Sequence, residues 1–361
     1  MASDETAGRL VTICRAALVV ALVNLGVPGS AAQSPSTSAG HTRQLTDVAG
    51  RVVAMPSTVT RVADPWHANN GMVLMMGAAG KIVATTVQAK RQPWFRKLFP
   101  PIDRVPAAFD ESGDVNIEAL ISARPDVVLM AYGGTLPKWL PMADTYGIPV
   151  FMMPNMSLAD LKTTARMTGE VLGPRESARA SDWIRYFDDN IRRVTSVTSK
   201  IPSRERPRVL HTATGTILTI DGVNTVIDDW ITVAGGINAA DVGGNARPIS
   251  MEQIAAWNPD VIVVGTAPNE ANRRAIMSDP RWRQINAVRT GRVYVNPTGV
   301  YLWDRHSAEA ALQVLWAAKT LHPERFPDLD LGKETKAFYA RFFNHTLTDA
   351  EYQTIMRATT P

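Results

Sequence analysis

The sequence predicts an α/β protein built as two Rossmann-like lobes with parallel-type sheets, joined by a single long α-helix and separated by a cleft. Three observations carry this. Short apolar runs alternate with helical patterns along both halves of the chain, the order expected of parallel strands returned by helices. Between the halves lies one long amphipathic stretch, residues 174–201. On either side of it the same building unit recurs, once as Asn116-Ile-Glu118-Ala-Leu-Ile-Ser-Ala-Arg-Pro125-Asp126-Val-Val-Leu and once as Ser250-Met-Glu252-Gln-Ile-Ala-Ala-Trp-Asn-Pro259-Asp260-Val-Ile-Val-Val.

In the long stretch Ile184, Phe187, Ile191, Val194 and Ile201 fall at alternating steps of three and four, with Thr198 filling the gap, so one narrow face is apolar. Arg179, Asp182, Arg185, Asp188, Asp189, Arg192 and Arg193 interleave charges of both signs on the other faces. Pro174 suits a first turn and Pro202 stops the run. About 25 residues at 1.5 Å each span ~37 Å, enough to cross from one lobe to another. An ordinary surface helix would carry the same pattern; the repeated unit on both sides favours a connector. In each copy of that unit a capping-type residue precedes a Glu by two, an apolar-faced helix follows, Pro-Asp closes it and a buried-type strand begins.

The chain has 361 residues, 45% hydrophobic and 20% charged, which suffices for two lobes each with its own core. A net charge of +4 with scattered Lys and Arg gives little support to nucleic-acid binding and is compatible with an anionic small ligand. Arg9 and Arg15 precede an apolar run over 16–27 that is short for a membrane span, and small residues follow over 28–33. Residues 1–32 therefore read as a cleaved signal peptide and 33–44 as a disordered leader, so the mature protein is expected to be exported. The single cysteine, Cys14, lies in the signal segment, so the mature chain carries neither disulfide nor thiolate ligand. Bulky Ile13 before Cys14 and the apolar run after it argue against lipid attachment there.

The expected order is a hairpin around Ala49-Gly50, a strand at 60–63, a helix at 72–76, a strand at 82–86, the first repeated unit, a helix at 136–146, a strand at 150–153 and a helix at 158–172. This makes an N-terminal lobe over 45–173. After the connector (174–201) a second lobe over 202–361 repeats the scheme: a strand at 208–211 with a hairpin partner at 217–220, a helix at 226–234, the second repeated unit, a helix at 269–277 and a strand at 292–295. Ser307 is expected to cap a strong helix over 308–321, and two shorter helices finish the chain.

The signal segment, the two lobes, the lone helical connector, the paired Glu-helix-Pro-Asp-strand units, the Gly235-Gly236-Ile-Asn238 turn and the Leu-Trp316-Ala-Ala-Lys-Thr-Leu-His-Pro323-Glu-Arg-Phe326 stretch together resemble the helical-backbone class of periplasmic substrate-binding proteins. That class serves ABC importers of ferric siderophores, cobalamin and haem, and the resemblance covers residues 45–343. It implies a monomer that binds a small-molecule metal chelate, most often ferric, and hands it to a permease dimer, with no intrinsic cofactor. It also implies that Glu118 and Glu252 sit on the outer tips of the lobes and engage permease arginines, although each Glu would also stabilise the N-terminal end of its own helix by ~0.5 kcal/mol.

Ligands of open α/β sheets lie beyond the carboxyl ends of the strands. The loops there carry Trp66, His67, Arg91, Trp94, Phe109 and Tyr132 in the first half, and His211, Tyr301, Trp303, Asp304, Arg305 and His306 in the second. Aromatic walls with a few cations suit a flat, partly anionic chelate. Tyr132 and Arg305 stand where the family often contacts ligand. His67 and His211 each follow the first strand of a lobe and are candidates to complete a metal's coordination; Trp303 or Trp94 would equally serve as core cover. No phosphate loop, nucleophile elbow or H-E-x-x-H motif points to an enzyme. Ferric siderophore, haem, cobalamin, a nickel or cobalt chelate and an oxyanion such as molybdate all remain open as ligands.

Overall fold

The repeated unit folds the same way twice. Asn116 caps the helix Ile117–Ala123, its side chain accepting the Ala119 N–H at 3.0 Å, and Ser250 caps Met251–Trp257 in a reciprocal box with Gln253. Each helix ends on a left-handed residue, Arg124 at φ 43° and Asn258 at φ 42°. The Pro-Asp that follows is the foot of a clasp. Asp126 Oδ2 accepts the Arg61 N–H at 2.9 Å and Asp260 Oδ2 the Arg208 N–H at 2.9 Å. The Arg61 guanidinium reaches back to the carbonyls of Ala123 and Arg124, as that of Arg208 does to Trp257, satisfying carbonyls the helix ends leave open. A buried strand therefore starts in register beside its neighbour in both halves.

The computed structural model describes residues 41–110, 114–213, 216–265 and 269–361, so the expected signal segment and the leader up to residue 40 lie outside the described residues. Strand β1 (Thr42–Thr46) begins earlier than the expected start at Leu45 and forms an antiparallel hairpin with β2 (Val52–Pro56), turning at Gly50 with φ 77°.

The first sheet contains β3 (Val62–Ala63), β4 (Ile82–Thr86), β5 (Ala107–Phe109), β6 (Val127–Tyr132) and β7 (Val150–Pro154) in the order β5-β4-β3-β6-β7, every neighbour parallel. The second contains β8 (Arg208–Thr212), β9 (Thr219–Asp221), β10 (Ile237–Asn238), β11 (Arg247–Pro248), β12 (Val261–Val264) and β13 (Val293–Val295), in the order β11-β9-β8-β12-β13 with β10 also on β8. Here β9 runs antiparallel to both its neighbours, β8 and β11, because the short link from β8 to β9 can only be a hairpin. The second sheet is therefore mixed.

The connector helix is Pro174–Thr198. Its buried stripe is Ala180, Trp183, Phe187, Asn190, Val194 and Thr198, with Ile184 and Ile191 only half-buried. The apolar pattern misplaces the centre because Asn190 and Trp183 bury by donating to the carbonyls of Ala311 at 2.8 Å and Ala308 at 2.9 Å. The preceding helix Leu158–Leu172 lies close against the connector: a Cβ on Gly169 would come within 2.9 Å of the Ser177 Cα.

Each sheet has an outer apolar face with its own cluster, around Val128, Val150 and Met152 in the first lobe and Leu210, Ile262 and Val264 in the second. The inner faces do not form separate cores, as two independent lobes would require. Val127, Leu129 and Phe151 share one continuous cluster with Val209, Val261, the connector and the helices Ala310–Leu321 and Leu331–Phe342. Ser307 is not the cap of Ala310–Leu321: Glu309 holds that position, and Ser307 Oγ is buried with no partner among the described residues. Pro137 and Pro141 shorten the helix expected over 136–146 to Leu140–Thr145. No helix among the described residues is long and apolar enough to cross a membrane.

Candidate functional site

Both sheets reverse strand order beside their first parallel strand, and the crevice beyond the carboxyl ends lies there. After β3 the chain turns through Asp64 and Pro65 into the helix His67–Met75. Asp64 is fully buried; it accepts the Trp66 N–H at 3.1 Å and the Asn69 amide at 3.0 Å, while burial pushes its carboxyl well above the usual range. This network fixes Trp66 and His67 at the head of a helix. From the other half come Tyr301, whose ring lies 5.2 Å from that of His67, and His306, 5.8 Å from Trp66. Burial holds Tyr301 protonated and drives His306 down to about 4, so both are neutral near pH 7.

Two adjoining cavities open around these residues. The smaller, about 190 Å³, belongs to the first lobe and is walled by Pro65, Trp66, Met130, Ala131 and Trp139, with Thr86 and Asp110. The larger, about 590 Å³, lies between the halves, with Arg91, Gln92, Pro93 and Trp94 on one side and Asn269, Thr298, Gly299, Tyr301 and Leu302 on the other. His67 and Gln88 line both and form the neck between them. Three polar atoms on the walls of the larger chamber are buried without a partner among the described residues: Trp94 Nε1, Asn269 Nδ2 and Thr298 Oγ1. Burying such a group unpaired costs about 1–3 kcal/mol, a cost that an acceptor brought against this wall would relieve.

Of the residues expected in the site, Trp66, His67 and Arg91 line the cavities. Tyr132, at the end of β6, is half-buried against the outer cluster of the first lobe and outside both linings. Trp303 is fully buried in the shared core and is not a cleft wall. His211 is also fully buried, and both ring nitrogens are engaged, Nδ1 with Asp221 at 2.9 Å and Nε2 with Asp304 at 2.8 Å, so it offers no lone pair to a metal. The expected pairing of His67 with His211 fails on register. Since Arg61 and Arg208 are equivalent clasp residues, the counterpart of His211 is Asp64. Arg305 is largely buried too, its guanidinium donating to Asp221 at 2.7 Å.

His211, Asp221, Asp304 and Arg305 thus form a buried charge cluster behind the cleft. Burial opposes the charged imidazole, but the hydrogen bonds and charges of Asp221 and Asp304 outweigh it and raise the His211 pKa. Two carboxylates against one guanidinium and one imidazolium sum to zero, the arrangement a buried site tolerates. The packing demands glycine at position 265, where a Cβ would fall 2.2 Å from the His211 ring.

Sequence reasoning missed Asn269 and Thr298 on the wall, whereas Trp94 stands in a strand-end loop that it did name. The first two follow β12 and β13, so the strand-end rule points at their loops, but nothing in residue type distinguishes a buried unpaired amide from a solvated one. Glu118 and Glu252 are exposed, each in the first turn of its capped helix.

Residues 67–298 match the family profile described as periplasmic binding protein. The chain is 25% identical over 335 residues to the molybdate-binding protein MolA of Haemophilus influenzae, covering 86% of this chain and 93% of that one. MolA bound to molybdate superposes with a TM-score of 0.75 over 85% of this chain and 99% of that one, at 23% identity, a likeness of fold. A periplasmic solute binding protein from Veillonella parvula superposes with a TM-score of 0.77 at 29% identity, over 89% and 98% of the two chains. The Fe(3+) dicitrate-binding periplasmic protein FecB of Escherichia coli is 22% identical over 190 residues, 49% of this chain and 58% of that one. With a profile match over more than half its length, the chain belongs to the periplasmic binding protein family, as a helical-backbone substrate-binding protein of an ABC importer rather than an enzyme.

Proposed function

We propose that the protein captures an oxygen-rich, anionic metal chelate in the chamber between its lobes, in the periplasm, and delivers it to the importer's permease, with Glu118 and Glu252 as the docking anions. The observation that carries the ligand class is the set of polar side chains on the chamber wall, Trp94, Asn269 and Thr298, whose Nε1, Nδ2 and Oγ1 are buried with no partner among the described residues, beside Arg91 and His67. Neutral donors and one guanidinium stabilise carboxylate, hydroxamate or catecholate oxygens without demanding a fixed charge. A chamber of about 590 Å³ is of the size that encloses a small organic ligand, and aromatic walls give such a ligand apolar contact. A ferric siderophore of compact size is the first candidate. A second reading, a metal oxyanion such as molybdate, is favoured by the near full-length relation to MolA.

Calorimetric titration of the purified protein with ferric citrate, ferric trihydroxamate, haemin and sodium molybdate tests this. Binding of a ferric chelate that falls at least about tenfold in Asn269→Ala and Arg91→Ala, one lost charge-assisted or buried hydrogen bond each, supports the reading. Saturable binding of molybdate alone moves the assignment to the oxyanion, and equal affinity in both variants removes these residues from the site.

A further inference from the structure

The profile match ends at residue 298, yet the wall of the larger chamber does not: Ala358, Thr359 and Thr360 line it together with Arg91, Asn269 and Tyr301. These residues reach the cleft by a built turn. The helix Asp349–Met356 closes in a Schellman arrangement, with Thr359 N–H donating to the Thr354 carbonyl at 2.9 Å and Ala358 N–H to that of Ile355 at 3.0 Å. Ala358 takes the left-handed conformation, φ 52°, which an L-residue adopts only when its surroundings require it. The Ile355 carbonyl that holds this turn also accepts the Thr298 N–H at 3.0 Å, so the tail and the cleft loop hang from one oxygen.

The start of the same helix is anchored across the cleft. Thr348 and Glu351 form a reciprocal capping box, and the Glu351 carboxylate also takes Lys97 of the helix Pro93–Leu98 at 2.9 Å and faces His345 at 3.2 Å. Burial works against the Glu351 carboxylate, but these partners hold its pKa down at about 2. Lys97 lies over the Trp94 ring at 5.4 Å, and Trp94 meets His345 edge-on at 6.2 Å. At its far end the tail borders a second hollow, where Thr360 and Pro361 stand with Pro93, Arg96 and Lys97 of the first lobe. The segment therefore spans both halves and roofs one side of the chamber.

We propose that residues 357–361 are a specificity-determining wall of the ligand chamber, setting the largest group that enters between Pro93 and Tyr301. This rests on the reading of that chamber as the ligand site. The wall limits size, while the donors on the fixed lobes supply the hydrogen bonds.

The test needs no ligand. In a Cys14→Ser background, Gln92→Cys places a thiol on the chamber wall. Its rate of modification is measured with a small methanethiosulfonate and with a bulky polyethylene-glycol maleimide, in the full chain and after removal of residues 357–361. A segment held by a few backbone bonds blocks the opening most of the time, so removal accelerates the bulky reagent about tenfold and the small one far less. Unchanged rates, or equal acceleration of both reagents, overturn the proposal. Ala358→Val keeps every other residue while disfavouring the left-handed turn and shifts the ratio the same way, which guards against a truncated chain that fails to fold. If the thiol responds as expected and no chelate or oxyanion binds, the proposed function falls and the wall stands; if ligand binds the full and shortened chains alike and the thiol does not respond, the wall falls alone.

Discussion

Asp221 is the residue whose loss the structure makes most expensive. Its Oδ2 accepts from His211 at 2.9 Å and from Arg305 at 2.7 Å, and its Oδ1 takes the Ala246 N–H at 2.9 Å, all with the side chain fully buried. Asp221→Asn removes the charge and leaves two cationic partners against Asp304 alone, with Arg305 on the edge of solvent. Breaking one member of a buried ion cluster in this way costs about 3–5 kcal/mol. Urea unfolding followed by circular dichroism at pH 7 should show a lowered midpoint with an unchanged slope. Arg305→Gln combined with Asp221→Asn should cost less than the two single changes added, by about 1–3 kcal/mol, because the second change removes the charge stranded by the first. A loss under about 1 kcal/mol for Asp221→Asn, or additivity within about 0.5 kcal/mol, would refute the picture of a mutually neutralising cluster.

Two further outcomes follow from other residues. Glu309 is fully buried, accepting the Val300 N–H at 2.6 Å and the Tyr339 hydroxyl at 2.8 Å, and burial raises its pKa from 4.5 to about 7. A carboxyl that binds its proton more tightly in the folded state stabilises the fold at low pH. Stability should therefore fall as pH climbs from 4.5 to about 7, by roughly 2–3 kcal/mol. Glu309→Gln keeps the acceptor without the charge, matching the parent at pH 5 and exceeding it at pH 8; identical pH slopes in denaturant melts would disprove this. Raised His211 acts in the same direction, its contribution being full below its unfolded value near 6.5 and lost as pH rises through the higher folded one. Glu118→Arg together with Glu252→Arg should abolish uptake in a reconstituted importer while ligand affinity stays within about twofold, since such charges orient docking more than they bind; full transport by the double variant would end the docking assignment.

Local chemistry was legible in residue order alone. Alternating apolar runs, a capped helix closed by Pro-Asp and a long charged stretch with one apolar stripe each state a local preference, and Asn116, Ser250, Pro174 and the duplicated unit duly appear where they do because capping and backbone restriction act within a few residues. Trp66, His67 and Arg91 were also reachable, because the ends of parallel strands point to a crevice whatever the sequence. His211 and Trp303 were misjudged for the opposite reason. A histidine at a strand end has one composition and two fates, and only the β8–β9 register, which sets Asp221 opposite it, and the return of the chain to Asp304 decide that both nitrogens are engaged. The same holds for Asn269, Thr298 and the tail at 358–360: their role depends on which atoms from distant segments fail to meet them. Tertiary packing alone determines that, because burial and hydrogen-bond partnership are properties of the space between elements and leave no periodicity in the chain.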